Sequence, residues 1–501
     1  MVREASRDGC SGEPCPLGDG FLVGFGHWIR ICLTRLHICF YAAFQARGRF
    51  FSACKEIKKK ALSALHFYAI FKLMFRLISL LVILSSLGMS HAQQPSQSKI
   101  TRSSDGGFQL LFNGQPYFIN GAGGFQNLAE LAKLGGNSIR TWGLETLEQM
   151  VDGKPLLDRA HELGITVTVG IWLKHERHGF SYDDPAACKA QREVVMAGVK
   201  KYKNHPALLM WGLGNEMEGP TSDGSKVSVW KELDALARMI KAEDPNHLVM
   251  TVIAGAGPVK VGTLMKNYPS IDVLGVNAYG GASSVGNALK AAGWDKPFAL
   301  TEFGPLGHWE VGKTSWGAPI EPSSRDKAAT YYATQTKVLE DGKGSCIGSY
   351  VFLWGQKQEV TSTWYGMFLK SGEKLPTVDA IAKAWTGKWP ENRCPKVMTF
   401  DCAFRETSVA PGTEVDASAT VKEHEGDSVT YNWSVFAETK EISVGGDAEA
   451  EPPYVPDCIV MEDAGKARIR APKKPGAYRL FLVVKDGKGG ASAENMPFMV
   501  K

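Results

Sequence analysis

A chain of 501 residues with 44% hydrophobic content is globular and long enough for more than one domain. Its formal charge of +5 is unevenly spread: residues 1–92 hold 12 of the 57 Lys and Arg and 5 of the 52 Asp and Glu, which leaves 45 against 47 elsewhere. A balance that close to neutral offers no basic face, so nucleic acid is excluded as a partner.

Residues 1–73 are rich in Arg, Lys, Cys and aromatics and keep no sustained period of helix or strand. Met74-Phe75-Arg76 then leads into the apolar run Leu77–Leu84 and the small-residue site Ser90-His91-Ala92. That is the pattern of a secretory signal peptide over residues 74–92. The apolar core is too short for a stable membrane span. An anchor helix over residues 61–88 is the competing reading, and Lys72 and Arg76 interrupt it. A signal belongs near the start of a chain, so translation is expected to begin at Met74. Residues 1–73 are then a mis-called extension, with a long leader as the alternative. The mature protein is expected in the periplasm or outside the cell, after cleavage near Ala92. It keeps Cys188, Cys346, Cys394, Cys402 and Cys458, an odd number that leaves at least one thiol unpaired within the chain.

Residues 93–109 read as a polar linker, after which short apolar runs alternate with amphipathic stretches. The expected strands are Tyr117–Gly121, Ser138–Trp142, Thr166–Leu173, Leu208–Asn215, His247–Ile253, Val273–Asn277, Phe298–Glu302 and Ile347–Trp354. Helices are expected between them, as at Leu128–Leu134, Leu156–Leu163, Glu193–Tyr202, Trp230–Lys241 and Lys327–Leu339. Eight such units predict an α/β fold, a (β/α)8 TIM barrel over residues 110–392. After Trp389-Pro390 the helical period is lost. Alternating runs such as Val429–Val435 and Tyr478–Val484 predict a β-sandwich of immunoglobulin or polycystic-kidney-disease type over residues 396–501. Cys402 and Cys458 are candidates to bridge its strands.

Two of the barrel runs end in a carboxylate: Leu208–Gly214 leads into Asn215-Glu216, and Phe298–Thr301 into Glu302. A carboxylate closing a buried strand is costly unless it is solvated or used. Two of them at the carboxyl ends of barrel strands point to a shared catalytic site, and paired carboxylates are the equipment for cleaving glycosidic bonds. With Asn137–Arg140 on strand 2 and Val276–Tyr279 on strand 6, the chain resembles the retaining glycoside hydrolases of clan A. The barrel of glycoside hydrolase family 2 is the nearest in kind, with families 5 and 72 also similar. The likeness covers about residues 110–390. Unlike family 2 enzymes, which carry β-domains before the barrel, the chain is expected to have only a short linker there, with one starting hairpin as the alternative.

The resemblance implies that Glu216 is the general acid/base and Glu302 the nucleophile. It implies that Asn215 binds the sugar 2-hydroxyl; a turn-capping role is the plainer alternative. Arg140 and Tyr279 are expected beside Glu302, although a tyrosine after a strand also serves as packing. Sugar rings lie well on indole faces. Trp354, at the end of strand 8, is therefore expected under the cleaved sugar, and Trp309 in the cleft. Trp142, Trp172, Trp316 and Trp364 belong to the same set of strand-end aromatics. The polar loop His175–Asp184 has no ligand spacing and reads as a subsite wall or structural loop; no metal or cofactor is expected. The reading is a secreted retaining β-glycosidase acting on a β-linked oligosaccharide or polysaccharide. A β-glucan transglycosylase using the same glutamates and a non-catalytic carbohydrate-binding protein are the alternatives.

Overall fold

The computed structural model describes residues 94–219, 223–443 and 445–501. The extension and the signal peptide, residues 1–92, lie outside the described residues. Eight parallel strands close into a barrel: β1 (Ile119–Gly123), β2 (Ser138–Arg140), β3 (Thr166–Ile171), β4 (Leu208–Leu213), β5 (Leu248–Ala254), β6 (Val273–Asn277), β7 (Phe298–Phe303) and β8 (Cys346–Val351). β8 pairs with β1 to complete the ring. Strands β3, β4 and β7 are buried along their whole length, as parallel strands covered on both faces must be.

The helices around the ring are α1 (Leu128–Lys133), α2 (Leu156–Glu162), α3 (Pro185–Tyr202), α4 (Val227–Glu243), α5 (Pro258–Asn267), α6 (Val285–Ala291), α7 (Ser324–Asp341) and α8 (Pro376–Thr386). Local chemistry sets their starts. Asp184 caps α3 by accepting from the N–H groups of Ala186 and Ala187, with Pro185 in the first turn. Ser323 caps α7 by accepting from the Asp326 N–H.

One expectation is corrected at the amino-terminal end. From Ser98 onward the expected linker over residues 93–109 is instead part of an antiparallel sheet made by Ser98–Arg102, Phe108–Phe112 and Gln115–Tyr117. The first barrel strand accordingly starts at Ile119, not Tyr117. Leu110, with Ile100, Phe112 and Tyr117, packs on Ile119, Met210, Met250, Val273 and Ile347 at the barrel's amino-terminal mouth. The sheet plugs that end with hydrocarbon.

The C-terminal region is two four-stranded sheets, as the lost helical period predicts. One runs β9 (Lys396–Cys402), β10 (Glu414–Lys422), β13 (Lys466–Arg470), β12 (Ile459–Asp463). The other runs Ser408–Val409, β15 (Ala491–Val500), β14 (Gly476–Lys485), β11 (Thr430–Ala437). Trp433, Val435, Ile469, Leu480, Leu482 and Phe498 fill the space between them. Cys402 and Cys458 are both free thiols here, so the suggested bridge is not made. Asp486 accepts from the N–H groups of Lys488 and Gly490 and so shapes the β14–β15 hairpin turn.

The sandwich is held against the barrel by buried polar contacts. Ser324 at the start of α7 donates to the Ala493 carbonyl, and its N–H donates to Glu494. Arg479 donates to the Pro319 carbonyl and pairs with Glu438. Glu321, paired with Lys327, accepts from Asn495.

Candidate active site

At the carboxyl ends of the strands lies a cavity of about 900 Å³. It is lined by Trp142, Trp172, Asn215, Glu216, Asn277, Tyr279, Glu302, His308, Trp309, Phe352, Lys357 and Glu359, among others. Both glutamates therefore open into one space.

Glu302 sits inside β7 and is only 6% exposed. Three donors converge on it. Arg140 Nη1 and Trp142 Nε1 donate to Oε1 at 2.9 and 3.0 Å, and the Tyr279 hydroxyl donates to Oε2 at 3.2 Å. Burial raises the Tyr279 hydroxyl well above its ordinary pKa, so it keeps the proton that it donates. Such a set fixes the direction of the carboxyl group.

Glu216 is positioned differently. β4 ends at Leu213, Gly214 turns the chain at φ +75°, and Glu216 itself takes φ +50°. Left-handed backbone is costly for a residue with a Cβ. Its N–H is held by the Val252 carbonyl at 2.9 Å. Asn277 Nδ2 donates to Glu216 Oε1 at 2.8 Å and to Asn215 Oδ1 at 3.2 Å. Asn215 Oδ1 also accepts from Arg140 Nη2 at 2.6 Å. Hydrogen bonds thus run unbroken from Glu216 through Asn277, Asn215 and Arg140 to Glu302. Burial first, then the charge of Glu302, pushes the Glu216 carboxyl up to about 7, against the pull of Asn277. Two carboxyl groups whose surroundings differ in this way can divide the roles of proton donor and nucleophile. Behind them, Glu218 is tied to Lys260 at 2.9 Å and to the Ala254 N–H.

Of the residues singled out in the sequence, Glu216, Glu302, Asn215, Arg140, Tyr279 and Trp309 gather at this cavity or directly behind its wall. Trp309 is 56% exposed and meets Tyr279 edge-on. Trp354 departs from expectation. It is 1% exposed, does not line the cavity, and packs against Phe368 and Trp385. Phe352 and Leu353 occupy the cavity wall at that strand end. Trp364 is likewise buried, donating to the Leu306 carbonyl. The polar loop after β3 faces the sandwich: Arg177 and His178 both reach Asp447. Among the described residues no group of three or more His, Cys, Asp or Glu side chains gathers to hold a metal ion.

The sequence reading missed several groups. Trp142 was read as a platform, yet its indole N–H is spent on Glu302. Asn277 was only part of a motif, and it holds Glu216. Lys357 and Glu359 pair at 2.6 Å on the cavity wall. Residues 443 and 445–447 of the sandwich line the same cavity, and nothing in their sequence marks them.

Residues 147–304 match the family model described as "Glycosyl hydrolases family 2, TIM barrel domain". That interval contains both Glu216 and Glu302. A β-galactosidase from Yersinia pestis bv. Antiqua (strain Angola) is 34% identical over 91 residues, covering 18% of this chain and 8% of that protein. The chain thus spans less than a tenth of the length of the curated relatives it matches. Among solved structures, a β-D-glucuronidase from Dictyoglomus thermophilum aligns at a TM-score of 0.41 and 17% identity, over 59% of this chain and 54% of that one. An endo-1,4-β-mannanase from Eisenia fetida aligns at 0.38 and 16%, over 59% and 96%.

Proposed function

We propose, from the premise that this barrel is of the clan A, glycoside hydrolase family 2 type, that the chain is a retaining β-glycosidase. One observation carries the reading. Glu216, held up to about 7, and Glu302, gripped by Arg140, Trp142 and Tyr279, face the same cavity. In the first step Glu302 attacks the anomeric carbon. The bond to the departing oxygen breaks, and Glu216 gives that oxygen its proton. A covalent glycosyl-enzyme is left. In the second step Glu216, now a carboxylate, takes a proton from water as the water oxygen displaces Glu302, and the sugar leaves with its original configuration. Asn215 lines the cavity between the two carboxyl groups, where a sugar hydroxyl can meet its amide.

The reading includes export. The signal peptide at residues 74–92 precedes the first described strand. Among the described residues no helix is long and apolar enough to cross a membrane. The secreted protein is expected to begin at Gln93, with a barrel domain over residues 110–392 and a sandwich over 396–501.

The test is Glu216→Ala on 4-nitrophenyl β-glycosides. Their leaving group needs no proton, so the glycosyl-enzyme still forms and then stalls. Added azide is expected to speed turnover and yield a β-glycosyl azide; no response to azide refutes the assignment. On a glycoside whose leaving group does need a proton, kcat/KM of the unaltered protein is expected to fall about tenfold per pH unit above the Glu216 pKa, which lies at about 7. Glu216→Ala acting on the 4-nitrophenyl glycosides should lack that limb.

A further inference from the structure

The cavity wall is not made by the barrel alone. In the ring, β1 and β2 lie between β8 and β3. The connection after β1, residues 124–127, is short, whereas those after β3 and β8, residues 172–184 and 352–375, are long. The sandwich segment joining β11 to β12 reaches both of these long connections, and its Ser443, Gly445, Gly446 and Asp447 line the cavity.

The segment is tied down on both sides. Toward the β3 loop, Arg177 Nη2 donates to Asp447 Oδ1 at 3.2 Å, and His178 Nε2 lies 3.1 Å from Oδ2. Toward the β8 loop, Lys357 Nζ donates to the Gly446 carbonyl at 2.9 Å and the Val360 N–H donates to Glu449 Oε2 at 2.7 Å. The Thr439 hydroxyl donates to the Val360 carbonyl at 2.6 Å. Glu449 also accepts from the Ser443 N–H, which fixes the turn internally. A bridge anchored at both ends is a wall.

Which end of a substrate meets this wall follows from the site. The sugar attacked by Glu302 must sit by Arg140 and Trp142, which come from β2 and the residues after it, while the leaving group sits by Glu216 at the end of β4. The wall over β1 and β2 is thus on the side of the attacked sugar. We propose that the sandwich turn closes the cleft there, so that the enzyme accepts the non-reducing terminal unit of its substrate and not the middle of a chain. The inference rests on the glycosidase reading above. It makes the sandwich a working part of the cleft, with Glu449 as a positioning residue.

The experiment uses the full chain and two variants, Glu449→Ala and Asp447→Ala. The probes are linear β-1,3-glucan, β-1,4-glucan, β-mannan and β-galactan hexasaccharides labelled at the reducing end, with 4-nitrophenyl β-glycosides as a second readout. The unaltered protein should first leave its label on a fragment one unit shorter. Glu449→Ala should raise the share of internally cut fragments about tenfold and keep kcat on the aryl glycosides within about twofold. Asp447→Ala should shift the fragments the same way. Internal cutting by the unaltered protein, or fragments that neither variant changes, overturns the inference while leaving the glycosidase reading intact. Failure to turn over any glycoside brings down both, and is a different result.

Discussion

At the amino-terminal ends of the barrel strands, Ile119, Met210, Met250, Val273 and Ile347 pack on Leu110 of the preceding sheet. At the carboxyl ends of the same barrel stand Arg140, Glu216, Asn277 and Glu302, linked by hydrogen bonds around a cavity. The closed end removes apolar surface from water, at roughly 25 cal/mol per Å². The open end does the reverse: it buries carboxyl groups and holds Glu216 at positive φ, which costs stability and prepares chemistry. Stability and reactivity are thus kept at opposite ends of one set of strands.

That division can be broken from either end. The largest effect belongs to Glu302→Gln. It keeps an oxygen for Arg140 and Trp142 but removes the proposed nucleophile, so kcat should drop about 10⁴-fold or more. Steady-state rates on a glycoside that the unaltered protein cleaves will show it. A residual rate within tenfold would place the nucleophile elsewhere. Leu110→Ala acts at the other end. It should cost about 2–4 kcal/mol of unfolding free energy in a denaturant titration while kcat per folded molecule stays unchanged. If kcat falls instead, the two ends are not independent.

A third change sharpens the comparison by pairing two carboxyl groups of like pKa. Glu494 at the barrel–sandwich contact is also pushed up to about 7, mainly by burial, but it does not line the cavity. Its folded pKa stands above the ordinary 4.5. It therefore supports the fold fully below that value, and the support is lost as pH rises through about 7. Glu494→Gln removes the titration. It is expected to stabilise the protein by about 2.5 kcal/mol at pH 8 relative to pH 5, read as the difference in Tm between variant and parent. An equal shift at both pH values would show that the carboxyl is solvated.

The barrel was legible because its signal is local. Runs such as Leu208–Leu213 are apolar throughout, and the strands read from them lie within a few residues of those observed. The two glutamates were legible for the same reason, since each stands where such a run stops. The first sheet was read as a linker with at most one hairpin because Ser98–Arg102 is mostly polar, its pairing with Phe108–Phe112 being made by backbone. Trp354 was misplaced because β8 ends at Val351. Alternation fixes which way a side chain faces only while the strand lasts. Lys357 and residues 445–447 follow no period, and Asp447 meets its partner Arg177 from 270 positions away. No local pattern encodes such a meeting.

That separation also orders events in time. A ribosome has delivered all eight barrel strands by Val351, yet Asp447 comes roughly 5–20 s later at about 5–20 residues per second. A nascent chain halted in that interval carries both glutamates but not the part of the cavity wall that residues 443 and 445–447 supply. The final wall of the cleft waits on the fold of the last hundred or so residues, and a protease cut there would undo it without touching the barrel.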